Sequence, residues 1–306
     1  MTSRPYPRPF GSFILLQLIG RGGMSEVELA RQALSEANFV RFIVIKRIHT
    51  RHTGNESFVR MFQDEARINA ELQHENIAQV YAFGRAEEEY YLAMEYVAGT
   101  DLRGVQTALF ERGERLPIRV TLRIVHDILS ALEYAHGRVD TYGRPMNIVH
   151  RDVNPRNIML SIRGEVKLID FGVAKSDTKS EQTEKHALKG KFAYMAPEQI
   201  EQAERLDGRV DLFALGLVLH ELLTSEYPFK DLSEVQIFHR ILSGALPPPD
   251  ISLLSEHPNP QSLLDLLSRA LAIKRDDRFA SAAEMRRELI QVAEPLGGLP
   301  NAEEMA

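Results

Sequence analysis

Three side chains with hard oxygen donors, Asp152, Asn157 and Asp170, fall close together in the chain. Moving a phosphoryl group from Mg·ATP asks little covalent work of a protein. It needs one carboxylate near the acceptor hydroxyl and oxygen ligands that hold Mg²⁺ at fixed distances from it. Asp152 fits the first role, orienting the hydroxyl and accepting its proton. Asn157 and Asp170 fit the second, with Mn²⁺ as the alternative metal. Their convergence follows from local pattern: Ile158-Met159-Leu160 and Val166-Lys167-Leu168-Ile169 flank Arg163-Gly164, a hairpin signal that places Asn157 and Asp170 near each other at the strand ends.

The elements upstream are expected to be a small sheet around one helix. Strands are predicted at Phe13-Ile14-Leu15-Leu16, Phe42-Ile43-Val44-Ile45 and Tyr90-Tyr91-Leu92-Ala93-Met94. The run Gly20-Arg21-Gly22-Gly23-Met24-Ser25-Glu26-Val27 lies between two strands, either as a plain hairpin or as a loop whose backbone amides approach phosphates closely. Helical spacing of Phe58, Met61, Phe62, Ile68 and Leu72 puts Glu65 on the apolar face, where an unpaired carboxylate is expensive. Lys46, at the end of the strand Ile43-Val44-Ile45-Lys46, is its candidate cation. After Gly99 the chain turns helical. Pro117 suits a first turn, apolar residues recur at Leu122, Val125, Leu129 and Leu132, and Gly137 suits the exit.

Taken together, His150-Arg151-Asp152 with Asn157, Asp170-Phe171-Gly172, Ile43-Val44-Ile45-Lys46 and Ala196-Pro197-Glu198 resemble the motifs of the eukaryotic-like (Hanks-type) protein kinase family. The wording Gly22-Gly23-Met24 followed by Val27 is similar to its bacterial serine/threonine kinase branch. The resemblance implies an α+β bilobal protein kinase fold. Its small β-rich N-lobe would span 13–97 and its larger, mainly helical C-lobe 98–296, with a flexible arm at 1–12 and a solvated tail at 297–306. It implies an ATP-dependent serine/threonine protein kinase that transfers the γ-phosphoryl group to protein hydroxyls, with protein substrates and a homodimer for trans-autophosphorylation.

Residue by residue, the resemblance puts Ile19, Gly20, Gly22 and Gly23 in the phosphate loop and Lys46 on the α- and β-phosphates, paired with Glu65. Val27, Val44 and Met159 would sandwich the adenine. Met94 would be the gatekeeper, with the backbone of Glu95 and Val97 bonding the adenine edge. Asp101 is either a ribose contact or a helix cap. His150 would pack against Phe171, Asp211 would brace the catalytic loop, and Arg278 would pair with Glu198.

Four positions depart from the family pattern, one of them Val44 in place of the more usual alanine. Ser25 stands where the loop usually has its third glycine. Asn154 replaces the lysine that touches the γ-phosphate two residues after the catalytic aspartate. Lys191, after Gly190, stands where a threonine is usual. Lys191 either reaches back to supply the missing charge or faces solvent and tunes the substrate groove. The alternative to an active enzyme is a pseudokinase-like ATP-binding scaffold. Ser176, Thr178, Ser180 and Thr183 offer hydroxyls for activating phosphorylation, and Arg151 can pair with the phosphate.

Composition bounds the rest. The 306 residues are 44% hydrophobic, enough for a substantial core, and the net charge of −6 argues against a nucleic-acid partner. The absence of cysteine excludes disulfides and thiolate metal sites. The start, Met1 to Pro9, has no apolar run that would make a secretory signal. The stretch Leu212 to Leu223 is interrupted by His220 and Glu221 and reads as a buried core helix. No membrane segment is expected within this chain, and a cytoplasmic location is.

Overall fold

A computed structural model describes residues 5–22, 25–34, 39–48, 56–171, 192–246 and 248–306. Among these, one compact unit takes in 5–74 and 78–97 and a second takes in 75–77, 98–171 and 192–306. The fold is α+β, with the larger sheet in the first unit and most of the described helices in the second.

The first unit is a six-stranded antiparallel sheet in the order β1-β2-β3-β4-β6-β5, formed by β1 (Arg8–Phe10), β2 (Phe13–Arg21), β3 (Ser25–Leu34), β4 (Phe39–Ile48), β5 (Val80–Ala86) and β6 (Glu89–Glu95). The three predicted strands are β2, β4 and β6, each longer than its apolar run because ladder pairing carries polar residues along. Alternation along β4 sends Ile43 and Ile45 into a core with Phe10, Phe13, Leu15, Ala30 and Ala93. Ile48 joins Phe62 and Ala66 of helix α1 (Glu56–Glu71) in a second cluster with Val80 and Leu92.

The stretch expected to be a flexible arm is in part structure. Arg8–Phe10 pairs with β2, and Phe10 is fully buried. The apolar signal there was one residue long, too short to register as a strand. What holds it is an ion cluster. Glu28, 0% exposed, accepts from the Tyr6 hydroxyl at 2.6 Å, Arg8 Nη2 at 2.8 Å and Arg47 Nε at 2.5 Å. Burial alone would push the Glu28 carboxyl up, but hydrogen bonds from Arg47 and Tyr6 and the charges of Arg47 and Arg8 outweigh it and hold the group below its usual range. A depressed carboxylate stabilises the fold above its unfolded pKa of about 4.3 and loses that contribution as pH falls through the folded value. The melting-temperature gap between the unmutated chain and Glu28→Gln should therefore be full at neutral pH and shrink below about pH 4. A gap independent of pH would mean that the charge of Glu28 contributes nothing.

In the second unit, β7 (Gly99–Asp101), β8 (Ile158–Ser161) and β9 (Val166–Leu168) make a small antiparallel sheet, and Ile77 bridges to Leu168. The helices are α2 (Leu102–Arg112), α3 (Ile118–His136), α4 (Pro197–Ile200), α5 (Arg209–Thr224), α6 (Glu234–Ser243), α7 (Pro260–Ala270), α8 (Ala282–Ala293) and α9 (Ala302–Met305). Helix α5 is the predicted core helix and is buried from Val210 to Leu223. No helix among the described residues is long and apolar enough to cross a membrane.

The last ten residues are largely solvent-exposed from Asn301 on, but they are tied to the helices. Arg119 Nε donates to Gly298 O at 3.0 Å, Arg123 Nη1 donates to Pro300 O at 2.7 Å, and Asn301 caps α9. Gly164, at φ +78°, turns the β8–β9 hairpin, and a Cβ there would lie 2.0 Å from Ala302 O. The polar composition of the terminus hid a contact made through backbone carbonyls.

Candidate active site

The nucleotide-side residues other than Asp101 and Met159 lie in the first unit. Gly20 pairs with Val27 and Arg21 with Glu26 across β2 and β3, and the Gly22 N–H donates to Ser25 O at 2.8 Å, closing the Gly-rich turn. Gly23 lies outside the described residues. Ile19 is 45% exposed and Val44 is buried. Lys46 Nζ lies 2.9 Å from Glu65 Oε1, the side chains 13% and 16% exposed. The pair expected from the apolar-face position of Glu65 is therefore formed. The side chains of Phe58 and Met61, which helped to define that face, lie outside the described residues. Met94 sits beside Val44 and Val80 in the sheet, and the Glu95 N–H donates to Gln79 O at 2.8 Å while Val97 is buried.

The acceptor-side residues lie in the second unit and are held by a chain of hydrogen bonds. Asp211, 0% exposed on α5, accepts the N–H of His150 at 2.8 Å and of Arg151 at 2.7 Å. His136 Nε2 meets the same carboxylate at 2.8 Å. These bonds pin Arg151 at φ +65°, a left-handed conformation that costs about 1–3 kcal/mol outside glycine. The Asp152 N–H donates to His150 Nδ1, which makes Nε2 the protonated nitrogen and the donor to Ile169 O at 3.0 Å. The His150 ring packs on Phe171 with centroids 4.6 Å apart. His150 thus supports the loop through its ring contacts, as expected.

Asn157 Nδ2 donates to Asp152 O at 2.8 Å, and the Ile169 N–H donates to Asn157 O at 2.9 Å. The first bond commits the amide nitrogen to the catalytic loop and leaves Oδ1 as the end that can face a metal. The second ties Asn157 to the residue before Asp170, itself at φ +57°. A carboxylate and an amide oxygen on adjoining strand ends suit a hard divalent cation. Met159 lies on β8, paired with Lys167.

Two positions of the second unit make local contacts of their own. Asp101 is a helix cap, accepting the Gly104 N–H at 2.7 Å. Asn154 donates to Asp152 O at 2.8 Å and to Asp152 Oδ1 at 3.2 Å, while its Oδ1 accepts the Arg156 N–H. Where a lysine would carry charge outward, this chain has a side chain that steadies the aspartate. Lys191, its proposed compensator, lies outside the described residues, as do Ser176, Thr178, Ser180 and Thr183.

Behind the site, Glu198 meets Arg278 through two 2.8 Å bonds. Gln199 reaches back to Arg151 O at 3.1 Å. Sequence reasoning missed Gln199 and His136, whose partners are distant in the chain. It also missed the buried cluster of Arg103, Tyr194 and Glu221, for which Glu221 inside an apolar helix was the available signal.

Comparison with known proteins names the class of this chain. A protein kinase domain model matches residues 13–290. This chain belongs to the protein kinase family, in its bacterial Hanks-type branch. It is 39% identical over 279 residues to the tyrosine-protein kinase MasK of Myxococcus xanthus, covering 91% of this chain and 42% of that one. It is 36% identical over 293 residues to the serine/threonine-protein kinase PknB of Mycolicibacterium smegmatis, covering 94% and 43%. The PknI kinase domain of Mycobacterium tuberculosis superposes with a TM-score of 0.66 at 28% identity, covering 95% of this chain and all of that one. The chain therefore spans less than half the length of these two sequence relatives.

Proposed function

We propose that the chain is a serine/threonine protein kinase that uses Mg·ATP to phosphorylate protein hydroxyls, including its own in trans. The observation that carries this reading is the support of Asp152. Its neighbours His150 and Arg151 are pinned by the buried Asp211, its own backbone N–H is bonded to His150, and Asn154 and Asn157 bond its carbonyl. Asp152 orients the acceptor hydroxyl and accepts its proton as the phosphoryl group arrives. Asn157 and Asp170 would hold Mg²⁺, which supplies neutralisation of phosphate charge. Lys46, positioned by Glu65, takes the α- and β-phosphates. The Gly-rich turn, Val27, Val44, Met159 and the backbone of Glu95 and Val97 receive the rest of the nucleotide. Replacing Lys46 by Met should lower kcat/KM for ATP about 10²-fold or more, the loss typical of one preorganised electrostatic contact.

Asn154 favours a second reading, the nucleotide-binding scaffold, because the γ-phosphate lacks its usual lysine. Losing one such contact costs roughly 10²–10³ in rate from a start near 1–100 s⁻¹, so turnover would stay measurable even with no help from Lys191. Arg151 Nε and Nη1 are buried with no hydrogen-bond partner among the described residues. That supports a phosphate on Thr183 or Thr178, or on Ser176 or Ser180, as the partner that Arg151 awaits. Incubation with Mg·ATP followed by mass-spectrometric mapping tests the proposal. Phosphoserine or phosphothreonine supports it, and phosphotyrosine alone would move the specificity to tyrosine, as in the name of MasK. No phosphate on the chain or on an added protein would support the scaffold.

A further inference from the structure

We infer that residues Tyr6, Arg8 and Phe10 are positioning residues for Lys46, so that the N-terminal strand sets the affinity for Mg·ATP. This rests on the nucleotide role given to Lys46 above. Along β4, side chains alternate between faces. Ile43, Ile45 and Arg47 take one face, and Ile43 and Ile45 are packed against Phe10 and Phe13. Val44, Lys46 and Ile48 take the other, on which Ile48 packs against Phe62 and Ala66 of α1, the helix that carries Glu65. A strand that rolls or slips turns both faces at once. Whatever grips Arg47 therefore aims Lys46.

Arg47 is gripped unusually hard. Its Nε bonds Glu28 at 2.5 Å, its Nη2 bonds Glu26 at 3.0 Å, its Nη1 bonds Glu89, and its guanidinium lies 5.4 Å from the centre of the Phe10 ring. Three carboxylates around one guanidinium are over-subscribed. Among the described residues, the remaining cations are Arg21, which meets Glu26 at the surface at 2.9 Å with its side chain 60% exposed, and Arg8, which meets the fully buried Glu28 at 2.8 Å. Arg8 is the partner that leaves Arg47 free to serve Glu26 and Glu89 as well. Tyr6 adds the third hydrogen bond to Glu28, and Phe10 fills the core beneath. Without this segment, Glu28 draws on Arg47 alone, and the balance of pulls on Arg47 shifts one residue from Lys46.

The test compares the full chain with Arg8→Ala, Arg8→Lys and Tyr6→Phe, measuring Mg·ATP affinity by calorimetry well below each melting temperature, together with KM for a protein substrate. Arg8→Ala should weaken Mg·ATP binding roughly ten-fold, the lower end of what loss of a supporting partner does to a bound ligand, with substrate KM unchanged. Arg8→Lys should recover most of the affinity, and Tyr6→Phe should show a smaller loss in the same direction. If Arg8→Ala does not fold, Tyr6→Phe alone decides the matter. A lowered melting temperature with Mg·ATP affinity within about two-fold of the unmutated chain would make the strand merely structural and overturn the inference. Failure of the folded, unmutated chain to bind Mg·ATP would instead overturn the role of Lys46, and the inference with it.

Discussion

Asp152→Asn should reduce phosphoryl transfer by roughly 10³-fold or more while leaving Mg·ATP affinity within about two-fold. Asparagine keeps the shape, so the backbone bonds from Asn154 and Asn157 to the residue 152 carbonyl survive. What it removes is the group that can accept a proton and orient a hydroxyl through an anionic oxygen. General-base groups contribute about 10²–10⁴, and the substitution also turns an acceptor toward Asn154 into a second amide that must reorient. The measurement is single-turnover phosphorylation with a parallel nucleotide titration. A fall in rate matched by an equal fall in nucleotide affinity would place Asp152 in binding rather than in the transfer step. Retention of more than about a tenth of the rate would remove it from the role of base altogether.

Arg278→Ala should destabilise the helical unit by about 3–5 kcal/mol, the usual cost of removing one member of a buried ion pair. The guanidinium is 0% exposed, and besides both oxygens of Glu198 it serves the carbonyls of Ala272, Ile273 and Arg209. Removing it strands a carboxylate and three acceptors in the interior, where each unmet polar group adds to the penalty. Lysine in its place supplies the charge but not the planar fork, so Arg278→Lys should recover only part of the loss. Urea unfolding at neutral pH gives the value. A change below about 1 kcal/mol would mean that water or local rearrangement satisfies Glu198.

The elements that were legible were those whose signal is local. The hairpin around Arg163-Gly164, the helix entered at Pro117 and the apolar α5 all depend on nearest neighbours in the chain. So does the facing of Glu65 toward the apolar side of α1, from which a pair with Lys46 could be inferred. The contacts made by the segments read as arm and tail have the opposite character. Tyr6, Arg8 and Phe10 are secured by Glu28 and Arg47, and 298–300 by Arg119 and Arg123, residues far away in the chain. A short polar segment carries no periodicity that reveals such a partner.

The site divides along the same line. The identities of Asp152, Asn157, Asp170, Lys46 and Glu65, and the chemistry open to them, follow from residue type and spacing, because proton transfer and metal ligation depend on which atoms a side chain carries. Tertiary structure decided the rest: the tautomer of His150, the left-handed backbone at Arg151 and Asp170, the turning of Asn154 onto Asp152, and the gathering of three carboxylates around Arg47. Each of these is fixed by a hydrogen bond to a group whose nearness only the folded chain creates, and orientation in space is a property of such bonds rather than of residue order.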